Sequence, residues 1–304
     1  MRVRAATVRI GAAIVVVLLC TSAIWLLLHW LRPEAFQGEG ALLPALGRYL
    51  RDAFLHFDLG ESRTLRRPVA DVVREGLPAD LQLLLGGVLV GLAAGIAGGI
   101  YSAARPDSIG AHALHVVAMF GVCAPVYVVG LLALLLFGSH IGRVVDLGIP
   151  LTYTSFSDSP SRWLTSMVVP WLVVGFPIAG AALRVMRAQT LEVTGEVYLR
   201  TARAKGLSER EVFRHHALRP SVAPVLVMAG ATANVILLNM VLVERAFSVP
   251  GVFQHLNRAM DTGDWPILFA LTIEGAIIVC AFNLLADLAL MAVDPRVRRP
   301  ATAV

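Results

Sequence analysis

The chain contains a single lysine, Lys205, and a glycine follows it. A loop that cradles nucleotide phosphates needs a lysine followed by serine or threonine, so no such loop exists here and no ATP hydrolysis is assigned to this chain. No Ser/His/Asp arrangement, zinc-protease helix or supported nucleotide fingerprint occurs either, and no catalytic residue is assigned. The other candidates are polar groups inside apolar runs, where an ionisable side chain costs enough to mark function by default. Glu274 suits either a contact to a substrate amine or a buried partner for a neighbour's arginine. Asn234 and Asn239 could line a solute path through their amides or simply bond between helices. Asp287 and Asn283, four apart, share a helix face and read first as interhelix hydrogen bonding. His112 and His115 are three apart, a spacing that invites a metal, but their place near a helix end suits interfacial anchors and no metal site is assigned. Cys20, Cys123 and Cys280 lie in separate apolar runs without metal-ligand spacing and read as inert core residues.

The densest local signal is the polar stretch from Leu191 to Pro224, LEVTGEVYLRTARAKGLSEREVFRHHALRPSVAP. Its first short helix should end at Lys205, where Gly206 supplies a left-handed residue. Ser208 followed by Glu211 is a capping box, so a second helix should start at Glu209 and stop near Arg219, before Pro220. Small Ala202, Ala204 and Gly206 predict a low-relief surface, with apolar Leu207, Val212 and Phe213 beside a charged turn. Such an elbow suits docking in a groove on a partner. A solvated basic loop that only fixes topology is the plainer alternative, but topology needs neither the cap nor the small residues.

The elements that must hold these groups are membrane helices. Of 304 residues 57% are hydrophobic and only 15% charged, with a mean hydropathy of +0.72, against about 25% charge in ordinary soluble domains. Apolar runs near the length of about 20 residues that crosses a bilayer recur. They predict an all-α polytopic membrane protein, a single transmembrane domain over residues 1–304. About six helices are expected, near 9–31, 80–104, 111–138, 164–187, 221–243 and 265–293, with a cytoplasmic loop at 188–220. Arg2, Arg4 and Arg9 ahead of an apolar stretch resemble a signal peptide, but no small-residue cleavage site follows, so a retained first helix is expected.

Six crossings put both termini on one side, and basic residues mark the cytoplasmic face. With the termini inside, that face carries fifteen Lys and Arg against six acids, and the other face eleven against thirteen. The first outer loop, 32–79, holds seven arginines balanced by seven acids. Gly87, Gly91, Gly95 and Gly99 form a four-residue ladder on the second helix, a groove for packing within the bundle or for a subunit interface. The formal charge of +5 is spread over loops without aromatic interleaving or zinc-finger spacing, which argues against nucleic acid.

RTARAKGLSEREVFRHHALRPSVAP resembles the EAA loop of binding-protein-dependent importer permeases, in the form found in the dipeptide/oligopeptide/nickel subfamily of ATP-driven importers. Ala202 and Gly206 match the motif's alanine and glycine, and Leu218 its later leucine. Arg200 and Thr201 depart from its opening glutamate and alanine, and Arg219 stands where the general motif has proline. FDLGESRTLRRPVADVVREGLPADLQL (57–83) resembles the subfamily's outer segment leading into helix two. ERAFSVPGVFQHLNRAM (244–260) resembles its outer re-entrant element, with Glu244, Phe247, Pro250 and Gly251 matching. An ordinary turn is the plainer reading of Pro250-Gly251. DWPI at 264–267 and DPRVR at 294–298 resemble the start and finish of its last helix, whereas 139–163 matches poorly.

The resemblance implies a subunit of the bacterial cytoplasmic (inner) membrane, with Ala202, Ala204, Lys205, Gly206, Leu207, Ser208, Glu211 and Phe213 forming a coupling helix seated on a cytoplasmic ATPase. It implies a heterodimer with a second homologous permease, two ATPase subunits binding ATP and magnesium, and an extracytoplasmic solute-binding protein that largely selects the cargo. It also implies an outer element controlling substrate entry and transport by alternating access. Peptides are favoured over nickel chelates, haem or other small solutes. A self-sufficient secondary transporter or channel is the competing class, and would show an internal repeat, interrupted helices and midplane ion-binding residues. A membrane-embedded enzyme would need paired catalytic groups at membrane depth.

Overall fold

The structure, a computed structural model, describes residues 2–33, 41–137 and 152–293. It is all-α apart from one short antiparallel hairpin, β1 (Glu61–Ser62) with β2 (Arg67–Pro68). The helices are α1 (Arg2–Leu31), α2 (Leu42–Leu55), α3 (Val69–Ala104), α4 (Ile109–Cys123), α5 (Val126–Phe137), α6 (Pro160–Thr194), α7 (Val197–Ala204), α8 (Glu209–Glu211), α9 (Leu218–Ala246), α10 (Leu256–Thr262) and α11 (Trp265–Val293). Among the described residues, the apolar parts of α1, α3, α6 and α11 are each long enough to cross a bilayer, and the bent pair α4–α5 adds a further apolar element. Helix α9 has 29 residues and no charged side chain between 221 and 243. Helix α11 ends at Val293; DPRVR at 294–298 and most of the 139–163 loop lie outside the described residues.

Four helices differ in extent from expectation, α1 by starting at Arg2 rather than 9. Residues 111–138 do not form one helix: α4 and α5 meet at Ala124-Pro125 with a bend of 115°. Proline drives its predecessor out of the helical region, and Ala124 is extended at φ −75°, ψ 130°. Residue 138 lies outside the described residues. Helix α3 starts at Val69 rather than 80, and α6 runs from Pro160 to Thr194 rather than 164–187. Hydropathy marks where lipid ends, not where hydrogen bonding ends: α3, at 36 residues, is about 54 Å long against a hydrocarbon core of about 30 Å.

The chain divides into two compact units. The larger comprises residues 82–249 and 285–304 and is built on α6. There the glycine ladder is spent on packing inside the chain. A Cβ on Gly91 would sit 2.5 Å from the Gly175 carbonyl oxygen, one on Gly95 2.5 Å from the Ala182 Cβ, and one on Gly99 2.6 Å from the Met186 Cβ. With lipid on all sides there is no hydrophobic drive between helices, so backbone-to-backbone approach of this kind supplies the attraction. Two tryptophans of α6 hold the same α3 residue: Trp163 Nε1 donates to Gln82 Oε1 at 2.7 Å and Trp171 Nε1 to the Gln82 carbonyl at 2.9 Å.

The smaller unit comprises residues 1–81 and 250–284. Its core joins Trp25 of α1, Ala45 of α2 and Phe269 of α11. Cys280 is half-buried there, its Sγ 3.8 Å from the Ala13 carbonyl oxygen. Cys20 and Cys123 are exposed on their helices rather than buried in the core.

Candidate partner-docking site

The 191–224 segment folds as an elbow in the larger unit. Helix α7 ends at Ala204, Lys205 caps it, and Gly206 takes φ +83°. Ser208 then starts the next helix by a reciprocal cap. The Glu211 N–H donates to Ser208 Oγ at 3.4 Å, and Glu211 Oε2 accepts from the Ser208 N–H at 3.0 Å and its hydroxyl at 2.7 Å. Those donors hold the Glu211 carboxyl below its ordinary pKa, the Ser208 hydroxyl contributing most. Arg203 and Glu209 fork across the turn, Nε to Oε1 at 2.7 Å and Nη2 to Oε2 at 3.3 Å, a pairing that a six-residue spacing gave no reason to expect.

The second helix does not stop before Pro220. Residues 212–217 form a wide π turn that passes directly into α9, with Pro220 inside the helix. A proline within a helix strips the carbonyl four residues back of its partner; here that carbonyl belongs to His216, and the Tyr198 hydroxyl donates to it at 3.3 Å. The wide turn and this outside donor let the chain continue.

Ala202 is not part of the low-relief surface. It is 8% exposed, and joins Val193, Leu199, Val212 and Ala217 in a small core against which Phe213 packs. The outward rim is Ala204, Lys205, Gly206, Leu207 and Ser208, all exposed. Leu218, next to Ala217, packs instead into a second core formed by Ala182, Met186 and Val225. Neighbouring residues of one continuous helix thus belong to the elbow and to the bundle.

At the far end of α9, Glu244 and Phe247 are both buried. The helix closes with a non-glycine residue, Ser248 at φ +53°, and the Val249 N–H returns to the Glu244 carbonyl at 2.8 Å, the 6→1 bond of a Schellman ending. In the smaller unit Pro250 is exposed and Gly251 buried. The Val252 N–H donates to the Asp80 carboxylate at 2.8 Å, and Gly76 lies so close that a Cβ there would come within 2.8 Å of the Val252 nitrogen.

Asp264, 1% exposed, fastens the hairpin to the start of α11. It accepts from Ser62 Oγ at 2.6 Å and from the N–H groups of Thr64 at 2.9 Å and Arg63 at 3.3 Å. Burial pushes its carboxyl pKa up, and these donors more than offset that, leaving it below the usual value.

Comparison with known proteins fits this architecture. Residues 95–299 match the family described as binding-protein-dependent transport system inner membrane component. The chain belongs to that family. A putative peptide transport system permease protein of Brucella abortus (strain 2308) is 33% identical over 253 residues, 83% of this chain and 79% of that one. Dipeptide transport system permease proteins of Escherichia coli (strain K12) and Lactococcus lactis subsp. cremoris (strain MG1363) are each 31% identical, covering 80% and 76% of this chain and 78% and 73% of theirs.

The polar residues of this permease's bundle are differently placed from one another. Glu274, 4% exposed, faces Asp80 within the smaller unit, so a second acid lies beside it. The Asn239 amide donates to its own helix at the Val235 carbonyl, 2.7 Å, and Asn283 to Val279 at 3.0 Å. The side chain of Asn234 lies outside the described residues. The His112 ring nitrogen lies 2.9 Å from the Ser108 carbonyl oxygen. Among the described residues no three His, Cys, Asp or Glu side chains converge.

Sequence reasoning missed the roles of Tyr198, Leu199, Asp80 and Asp264: all four lie in segments it singled out, but their contacts are made by residues that only the fold brings together.

Proposed function

We propose that this permease is a membrane-spanning subunit of an ATP-driven importer, and that it works with a second related permease, two cytoplasmic ATPases and an extracytoplasmic solute-binding protein. The observation that carries the reading is the junction at Ala217-Leu218. A rim of small and apolar residues that could seat on a partner is fixed to a small core through Ala217, and the next residue enters the core that α6 and α9 share. Force on the rim has a short, packed route into the bundle. A ligand-driven change needs two states that contact this surface differently, and an ATPase pair closing on ATP supplies them. The family membership and the absence of a lysine suited to phosphate binding support hydrolysis on the partner.

The cargo proposed is a peptide, in keeping with the peptide and dipeptide systems named for the relatives. It would cross by alternating access between this subunit and its companion. The excess of basic residues on one side supports placing both termini and the elbow in the cytoplasm. Ala204, Lys205, Gly206, Leu207 and Ser208 would form the contact, Glu211 and Ser208 its frame, and Ala202 and Phe213 its foundation. Glu244, Phe247, Pro250 and Gly251 are proposed for the outer gate. No catalytic residue is assigned.

The break at Pro125 and the buried Asp80–Glu274 pair are features a self-sufficient transporter would use, and one experiment separates the two. Proteoliposomes carrying the purified chain alone should accumulate no labelled dipeptide. Uptake should appear only when companion permease, ATPases, binding protein and ATP are all supplied. Uptake by the lone chain would remove the reading.

A further inference from the structure

At the elbow end of α4 and α6, within the larger unit, lies a groove of about 560 Å³ whose lining includes His115, Arg184, Arg187, Val122 and Ala181. The two helices run antiparallel: Gly121 abuts the Phe176 carbonyl, and Gly180 the Ala118 carbonyl. Moving toward Ile109 on one therefore means moving toward Thr194 on the other. Val122 and Ala181 form the deep, apolar end. Arg184 and Arg187 lie one and two turns nearer the elbow on α6, and His115 seven residues nearer the helix end on α4, about 10 Å along the axis.

The groove carries its basic side chains on the elbow side of Val122 and Ala181, among apolar Val185, Ala188 and Leu191, and among the described residues its lining contains no acid. At the basic end Arg187 Nε and His115 Nδ1 are buried, with no hydrogen-bond partner among the described residues. Buried donors without partners are costly, and a guanidinium's natural partner is a phosphate or a carboxylate. The outward face of α4 beside the groove is apolar and exposed at Val116, Met119 and Phe120, a surface for lipid chains.

We propose that this groove holds an anionic phospholipid, its phosphate on Arg187 and Arg184 and its glycerol and upper acyl chain along Val122 and Ala181. Basic pockets between membrane helices on the cytoplasmic side favour such headgroups. The site rests on the cytoplasmic placement of the elbow proposed above but not on transport itself, since it needs only the two helices and that membrane interface.

The test uses the full-length chain in nanodiscs of phosphatidylcholine with or without phosphatidylglycerol. Lipid retained after extraction is measured by native mass spectrometry, and the unfolding midpoint is recorded in parallel. Phosphatidylglycerol should be retained selectively and should raise the midpoint, while inorganic phosphate at matched concentration should do neither. Arg184→Gln and Arg187→Gln should each weaken retention about fivefold, and the Arg→Lys pair should keep most of it. Ala188→Trp fills the groove without altering charge and should also expel the lipid.

Equal retention by wild type and by the double Gln variant overturns the proposal. So does an equal effect of inorganic phosphate, or displacement of the lipid by a dipeptide or by the companion permease. Should the double variant fail to fold, unchanged retention in Ala188→Trp overturns it alone. No transport is measured, so this failure and that of the importer reading remain distinguishable.

Discussion

Replacing Gly206 by valine places a Cβ on a residue at φ +83°, and no atom lies within 4 Å of where that Cβ would stand. Steric conflict with neighbours is therefore absent, and the whole cost is conformational. An L-residue in this region pays about 1–2 kcal/mol, with a β-branched side chain at the upper end. A loss of about 2 kcal/mol shifts the local opening equilibrium of the turn roughly thirtyfold. Alanine should cost about 1 kcal/mol, and asparagine, which tolerates left-handed backbone, less than either. The direct assay is amide hydrogen exchange over residues 203–212 of the full-length chain, paired with ATPase recruitment and dipeptide uptake in the assembled complex. Protection at Val212, whose N–H donates to the Ser208 carbonyl at 2.9 Å, should fall in the order Asn, Ala, Val, and recruitment should follow it. If valine leaves protection intact, or asparagine harms as much as valine, the left-handed requirement is not what holds the elbow. If protection falls while uptake and recruitment stay at wild-type levels, the elbow is not the coupling surface.

Three further outcomes are expected. Asp264→Asn should loosen the hairpin, seen as faster exchange across residues 61–68. Because hydrogen bonding depresses the Asp264 pKa, the wild-type clasp should be fully present above about pH 4 and weaken as pH falls below that; exchange at 61–68 unchanged down to pH 3 would refute it. Gly91→Leu forces a side chain onto the Gly175 backbone and should cost at least about 3 kcal/mol, read as loss of folded, monodisperse protein in detergent. Glu274→Gln replaces one of two facing acids by an amide that can donate to Asp80, so the unfolding midpoint should hold or rise; a marked fall would mean that Glu274 serves as an ionised partner to something else.

What the sequence disclosed about the elbow was what acts over a few residues. Gly206 and the Ser208–Glu211 cap are local chemistry, so the turn and the start of the next helix were readable. Pro220 misled because its usual effect depends on an unmet carbonyl, and here Tyr198, eighteen residues before His216, meets it. The outward or inward aspect of Ala202 likewise depends on Val193 and Val212, which only the folded elbow brings together. Pro125 was the opposite case: its disruption of the apolar run is local, yet uniform hydropathy across 111–137 concealed it. The glycine spacing announced a groove on α3 but not its occupant, because the run that meets it, Gly175 to Ala182, also carries Gly180, which faces α4, so small residues mark more than one face of α6. Asp264 and Ser62 are 202 residues apart, beyond any reading by pattern.

Four glycines at equal intervals are a ruler with identical marks, and such a ruler cannot say where zero is: slipped by one turn, most of the marks would still meet α6. The origin is set by unlike features at either side, Met186 seated on Gly99 and the indole of Trp171 tied to the Gln82 carbonyl. Alignment of these two long rods therefore rests on a bulky side chain and on the paired tethers of Trp163 and Trp171 to Gln82, and shortening the first or cutting both of the others would leave their contact intact but its registration ambiguous.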